Sequence, residues 1–110
     1  YNRLKKKPVS NILVPVIEHT KNFDIVVQQK IDQSNVDRRD ILKISALLIY
    51  EYGYYTGDIN KTNIGMYKND GVDILSILDW GEGIRPIKNT EFENKHEAFD
   101  SIIDTIYIKI

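Results

Sequence analysis

Cysteine is absent from this 110-residue chain. Neither a disulfide framework nor a thiolate metal site can be built from it, and the composition suits a reducing compartment such as the cytoplasm. Long apolar runs are lacking as well. Nothing approaches the ~18 consecutive apolar residues of a membrane span, and the first residues hold no apolar signal core. Charge of one sign is also scarce. A net charge of −1 supplies no field that would draw the chain to nucleic acid or to an acidic membrane surface, so neither is expected as a partner. One local run, Lys5-Lys6-Lys7, could touch phosphate, although such runs are ordinarily solvated strand or loop ends.

What remains is the composition of an ordinary globular domain. Apolar residues make up 42% and charged residues 28%, enough for one small core and one domain over residues 1–110. No repeat, linker or low-complexity segment divides it. The abundance of Ile, Asn, Lys, Asp and Tyr reads as a low-GC genome. A viral source fits that bias, and would place the protein in a host cell or virion. The chain opens on Tyr1 rather than Met, as a processed or cloned product would.

Val9 to Thr20 reads as a strand, with Ile12, Val14 and Val16 on one face and Pro15 marking an edge or a bulge. Phe23 to Ile31 reads as a second strand with Ile25, Val26 and Val27 as a short buried run. Lys21-Asn22 would join the two as a hairpin. Ser34 or Asn35 can cap a helix, with Asp37 at a capping-box spacing from Ser34. That helix is expected to run to about Tyr52 on the stripe Ile41, Ile44, Leu48 and Tyr52, and to stop at Gly53. A polar loop, Tyr54 to Asn63, follows. Ile64–Tyr67 and Val72–Leu78 then form a hairpin about Lys68-Asn69-Asp70-Gly71. A second loop, Glu82 to Asn89, leads to a helix opened by Thr90 with Glu93 at the capping-box position. Phe92, His96, Phe99, Ile103 and Ile106 line its core face.

Two loops carry chemistry. Gly57-Asp58-Ile59-Asn60-Lys61-Thr62-Asn63 holds an Asp and an Asn five residues apart, and Leu78-Asp79-Trp80-Gly81 ends the returning strand. The hairpin between them puts Asn63 and Asp79 at the same open end. A hard cation such as Mg²⁺ takes a few oxygen ligands and keeps several waters, and an amide oxygen facing a carboxylate supplies that. Asp58 is a second carboxylate, close enough in the loop to orient a hydroxyl. Each motif alone is weak, because Asp, Asn and Gly also serve ordinary turn chemistry.

In their order, however, these elements resemble the protein-kinase family: strand, strand, apolar helix, D-x-x-x-x-N loop, hairpin, then Asp-aromatic-Gly. The likeness runs from about Asn11 to Gly83. It implies an α+β fold, a truncated kinase-like domain in which residues 1–31 are a remnant of the N-terminal-lobe strands and hinge. Residues 32–110 would be a minimal, mostly helical C-terminal lobe carrying the catalytic-loop hairpin. By the same likeness Asp58 would accept the proton of the acceptor hydroxyl, and Asn63 and Asp79 would hold Mg²⁺. ATP would lie against a hinge at Gln28 to Ile31, with Gln29 and Ile31 supplying the backbone contacts. Gly65, Met66 and Leu78 would form the floor beneath the base.

The departures from the family matter equally. Thr56-Gly57 stands where the family has His-Arg before the catalytic Asp, and a Gly there is similar to aminoglycoside-phosphotransferase-like kinases. Asn60 stands where protein kinases place a Lys, with Lys61 beside it. Glu82 to Asn89 is too short for a long activation segment. No glycine-rich G-x-G-x-x-G loop and no strand-Lys to helix-Glu pair are present. Phosphoryl transfer depends on positioning and charge stabilisation, so loss of those parts should cost most of the activity.

Three readings therefore stand at this point. The chain is part of a kinase-like transferase of the serine/threonine type, incomplete by itself and acting on an unidentified hydroxyl acceptor. Alternatively it is a weak or inactive pseudokinase-like module that binds or inhibits a protein. The third reading is an unrelated binding domain. Two lone strands with open edges also imply a homodimer or a partner that supplies the missing lobe. Of the remaining notable side chains, His19 is expected in an exposed turn, and His96 to pack or hydrogen-bond. Trp80 should fill the core. The tyrosines Tyr50, Tyr52, Tyr54 and Tyr55 should seal the end of the first helix, and Glu82 should be a solvated loop residue.

Overall fold

The computed structural model describes residues 4, 7–22, 25–34, 36–57, 59, 63–78 and 83–108, the last two of these without their side chains. They form a small α+β domain of two helices and three antiparallel strand pairs.

The first pair is β1 (Val16–His19) with β2 (Val26–Gln28). Its start departs from the expected strand beginning at Val9. Pro8–Ile12 instead winds into a 3₁₀ turn, with Pro at its first position where a missing N–H costs nothing. That turn sends Val9 and Ile12 into the core. Pro15 sits just before a bulge between Val16 and Glu18, as a proline near a strand start suggests. The expected buried run is overturned. Ile25, Val26 and Val27 are 64%, 42% and 45% exposed, and Ile17 is 63% exposed. The ribbon has no third strand and no helix laid over these side chains among the described residues, so its β-propensity finds no second layer to bury it.

Helix α1 (Arg38–Ala46) begins later than the sequence suggests. Asp37 is its N-cap, accepting from Arg39 N–H and Asp40 N–H, while the Asp40 carboxylate takes Asp37 N–H. This reciprocal box beats the Ser34 alternative because Ser34 is already engaged with Asp32: its N–H and Oγ–H both donate to Asp32 Oδ1. The helix continues through a π turn, Leu47–Glu51, and ends at Gly53, whose φ of 74° is the left-handed C′ conformation. Ile41, Ile44, Leu48 and Ile49 are buried.

Next come β3 (Tyr54–Tyr55), β4 (Ile64–Asn69) and β5 (Val72–Ile77). The β4–β5 hairpin closes on Asp70-Gly71, with φ of 52° and 83° at those two residues. Positive φ at both central positions matches the strand twist, and Asp-Gly tolerates it. The polar loop expected from Tyr54 and the loop from Glu82 to Asn89 are each partly strand: β6 (Arg85–Pro86) pairs with β3. Pro86 is admissible there because the ribbon is all edge.

The final helix, α2 (Lys95–Ile108), also starts later than expected. Thr90 does not open it; its hydroxyl donates to Ile87 O and accepts from Phe92 N–H. Asn94 precedes the helix, taking Glu97 N–H on its side chain and Ala98 N–H on its carbonyl. Its buried face is Ala98 and Ile102, with Phe99 and Ile106 half-buried beside them. His96 is exposed on the rim, within 2.8 Å of the Tyr50 hydroxyl. None of the helices among the described residues is long and apolar enough to cross a membrane.

The main core gathers Leu4, Val9, Ile12 and Leu13 from the N-terminal turn, Ile44 and Leu48 from α1, and Ile64 and Ile77 from the hairpin. Side chains of this size stabilise by ~1.5–3 kcal/mol each when fully buried. The core therefore sits directly under the first rung of β4–β5, and fixes the end of the hairpin from which both chemistry-bearing loops depart.

Candidate functional site

The open end of the β4–β5 hairpin is held by one short bond. Leu78 N–H donates to Asn63 O at 2.6 Å, just beyond the Ile64–Ile77 rung. Two of the expected site residues are thus side by side. Asp58 and Asp79, together with Asn60, Lys61, Trp80 and Glu82, lie outside the described residues, as do Lys5 and Lys6. Among the described residues there is no group of three His, Asp or Glu side chains that could hold a metal ion.

Gln28 ties the ribbon to this end. Its side-chain amide donates to Leu78 O at 2.8 Å and to Val14 O at 3.3 Å. Val14 N–H in turn donates to Ile77 O at 2.8 Å, and Leu13 bridges Ile77 in parallel. The ribbon, the Leu13-Val14 segment before it and the hairpin end are joined through these backbone groups. Nothing in the sequence pattern distinguishes Gln28 from its neighbour Gln29. The two separate only because alternation along β2 turns one side chain inward.

Gln29 has a different use. Its N–H donates to Pro15 O at 3.0 Å. In an antiparallel ladder the facing residue would return a bond, but Pro15 has no N–H. Gln29 C=O, turned toward the same residue, receives no return bond from Pro15.

The chain next passes close over β4. Asp32 and Met66 exchange both backbone bonds at 2.7 and 2.8 Å, and the Gln33 amide donates to Ile64 O at 3.1 Å. Gly65 permits this approach: a Cβ there would lie 3.0 Å from both Asp32 O and Ile31 Cδ1 and 3.1 Å from Gln33 Cγ. Ile31, Asp32 and Gln33 thus occupy the space over Gly65. A cleft of about 570 Å³ opens beside them, lined by Gln29, Lys30, Ile31 and Asp32 on one wall and Met66, Tyr67 and Lys68 on the other. Gln29 and Ile31 border it; Gly65 and Leu78 do not. Lys68 pairs with Asp73 at 3.1 Å across the hairpin at its outer end, an exposed pair of small energetic weight. Asp32 is held below the ordinary aspartate pKa, first by the Ser34 hydroxyl and then by the Ser34 N–H, so it stays a carboxylate at neutral pH.

A second concavity of about 600 Å³ lies between Tyr52, Tyr54, Pro86, Phe92 and Lys95, under the β3–β6 ribbon. Tyr55, buried, stacks edge-on against Phe92 with ring centroids 4.7 Å apart, and Tyr50 meets His96 and Phe99. Tyr50 thus packs on α2, not on the sheet that the position of these tyrosines at the helix end suggests, while Tyr52 and Tyr54 lie against the main core.

Comparison with family models, with curated proteins and with solved structures gave no match. The class the described residues define is a small α+β domain with antiparallel ribbons around two helices.

Proposed function

We propose that this chain is the catalytic and metal-holding portion of a kinase-like phosphotransferase, binding Mg-ATP and passing the γ-phosphate to a hydroxyl acceptor, with the phosphate-covering parts of such an enzyme not contained in it. The observation that carries this reading is the Asn63–Leu78 bond: the D-x-x-x-x-N loop and the Asp-Trp-Gly segment leave one end of one hairpin. A cleft bordered by Gln29 and Ile31 supports the assignment of Gln28 to Ile31 as the segment that meets the base.

In this reading the Asn63 amide oxygen and the Asp79 carboxylate are the metal ligands, and their hard oxygen donors suit Mg²⁺, which would neutralise phosphate charge. Asp58 takes the acceptor proton on its carboxylate. Gln29 and Ile31 offer backbone hydrogen bonds to the base. Without a covering loop the phosphates stay solvated, so binding is weak and transfer slow. A cytoplasmic setting fits a chain without cysteine. Titration calorimetry of ATP with and without Mg²⁺ tests this: weak, metal-dependent binding is expected, and tight binding indifferent to metal would overturn it.

The exposed Ile17, Ile25 and Val27 favour a second reading, an inactive kinase-like module whose ribbon binds a protein partner. It expects no heat from ATP under either condition.

A further inference from the structure

The ribbon's two outer edges are not alike. β1 carries a bulge between Val16 and Glu18 and a charged side chain at Glu18. Each of these is a device that keeps a strand edge from pairing. The other edge, Ile25-Val26-Val27-Gln28-Gln29, has no charge, no proline and no bulge, and its β-branched residues are exposed.

The ladder also fixes which groups that edge presents. Thr20 N–H donates to Ile25 O, and Gln29 N–H donates to Pro15 O, so Ile25 and Gln29 turn their backbone groups toward β1. Hydrogen-bonding direction alternates along a strand. Val26, opposite His19, and Gln28, opposite Val16, therefore point their N–H and C=O groups outward. Those four groups face away from β1.

From this geometry we infer that β2 is a self-association edge, whose occupant is the β2 strand of a second copy of this chain, antiparallel and centred on Val27. In that register Val26 of each copy faces Gln28 of the other. Both are outward-facing, so the two pairs exchange both of their backbone bonds and no edge donor is left over. Val27 meets its own counterpart at the twofold axis, and Ile25 lies opposite Gln29. No like charges meet, and the exposed Val27 side chains cover one another. A shift of one residue would set outward-facing groups against inward-facing ones and lose every bond. Self-complementarity of edge groups, charge and apolar side chains in one register is the reason a second copy fits. The patch is small, so the association is weak and reversible.

The inference does not depend on the phosphotransferase reading. Its test combines sedimentation from low micromolar to near-millimolar concentration with residue-resolved amide exchange at both extremes. The expected result is a reversible monomer–dimer equilibrium in which Val26 and Gln28 amides gain protection on concentration and those of Ile25 and Gln29 do not. Val27→Lys, which sets two cations against each other at the axis, should remove the dimer while leaving the thermal unfolding of the monomer unchanged. Ile17→Lys on the other edge should leave association as it is. A monomer at every concentration overturns the inference. So does a dimer that survives Val27→Lys and is lost in Ile17→Lys, or protection that appears outside Val26 and Gln28.

Discussion

The Gln28 side-chain amide donates to Leu78 O at 2.8 Å, bridging residues fifty apart in the chain. The same nitrogen reaches Val14 O at 3.3 Å. One carboxamide therefore couples the ribbon to the residue that precedes Asp79 in sequence. A side chain of equal length without donors takes this bond away from Leu78 O in a half-buried place. Gln28→Met should cost about 1–3 kcal/mol of unfolding free energy, measured by urea denaturation. In the phosphotransferase reading it should also weaken Mg-nucleotide binding, because the hairpin end is no longer held against the ribbon. Unchanged stability would show that the bridge is replaced by water.

Gly65 and Ser76 face each other across the hairpin and should respond in opposite directions. A methyl at Gly65 meets Asp32 O at 3.0 Å, and that oxygen is fixed by its bond from Met66 N–H. Gly65→Ala should destabilise by roughly 1–3 kcal/mol through overpacking. Ser76 Oγ is fully buried and has no hydrogen-bond partner among the described residues. Ser76→Ala removes a desolvated hydroxyl at no loss of contacts and should raise stability by up to ~1 kcal/mol. Calorimetric melting of the two variants checks both signs.

The N-cap of α1 gives a pH dependence. The Asp37 pKa is lowered chiefly by the Asp40 N–H that its carboxylate accepts, with Arg39 adding to the effect and desolvation opposing it. A carboxylate whose pKa is lower when folded stabilises the fold above its unfolded pKa. That contribution is lost as pH falls through the folded value. Stability should therefore be level from neutral pH down to the ordinary aspartate range and fall below it. Asp37→Ala should flatten that acid limb and lower the melting temperature at neutral pH by about 4–8 °C. Melting curves from pH 2 to pH 7 for both chains make the comparison.

The sequence made some of these features legible and hid others, for physical reasons. The β4–β5 hairpin was readable because Asp70-Gly71 is a local signal that needs no tertiary help. Gly53 ended α1 for the same reason. Helix starts were displaced because several residues near each start could cap, and the winner depended on neighbours. Ser34 was diverted to Asp32, and Thr90 to Ile87 O. The exposure of Ile25 to Val27 is hidden in the sequence because an apolar run reports what a strand prefers, not whether a second layer exists to cover it. The short strand pair of Tyr54–Tyr55 with Arg85–Pro86 had no pattern long enough to read. Of the candidate site, Asn63 and Leu78 are together as the hairpin required. Gln28 was beyond reach because its role rests on contacts with Val14 and Leu78 that no local spacing encodes.

The decisive comparison separates the two carboxylates of the proposed site. If Asp79 shares a metal with Asn63, its charge matters to nucleotide binding, so Asp79→Asn should weaken Mg-ATP binding and abolish transfer. If Asp58 only orients the acceptor and takes its proton, Asp58→Asn should keep nucleotide binding and lose most of the rate; positioned general-base catalysis is typically worth ~10²–10⁴-fold. Neither change should lower the melting temperature of the free chain, because carboxylates kept for function are held at some expense of stability. Melting temperature with and without Mg-ATP, and turnover, are measured for the parent and both variants, with a phosphate-covering lobe supplied where turnover is otherwise too slow to read. A nucleotide-induced rise in the parent and in Asp58→Asn, absent in Asp79→Asn, is the expected pattern. If both variants melt well below the parent and no chain responds to nucleotide, the two aspartates are turn residues that shape their loops, and the chain is a binding module whose working surface is the exposed ribbon of Ile17, Ile25 and Val27.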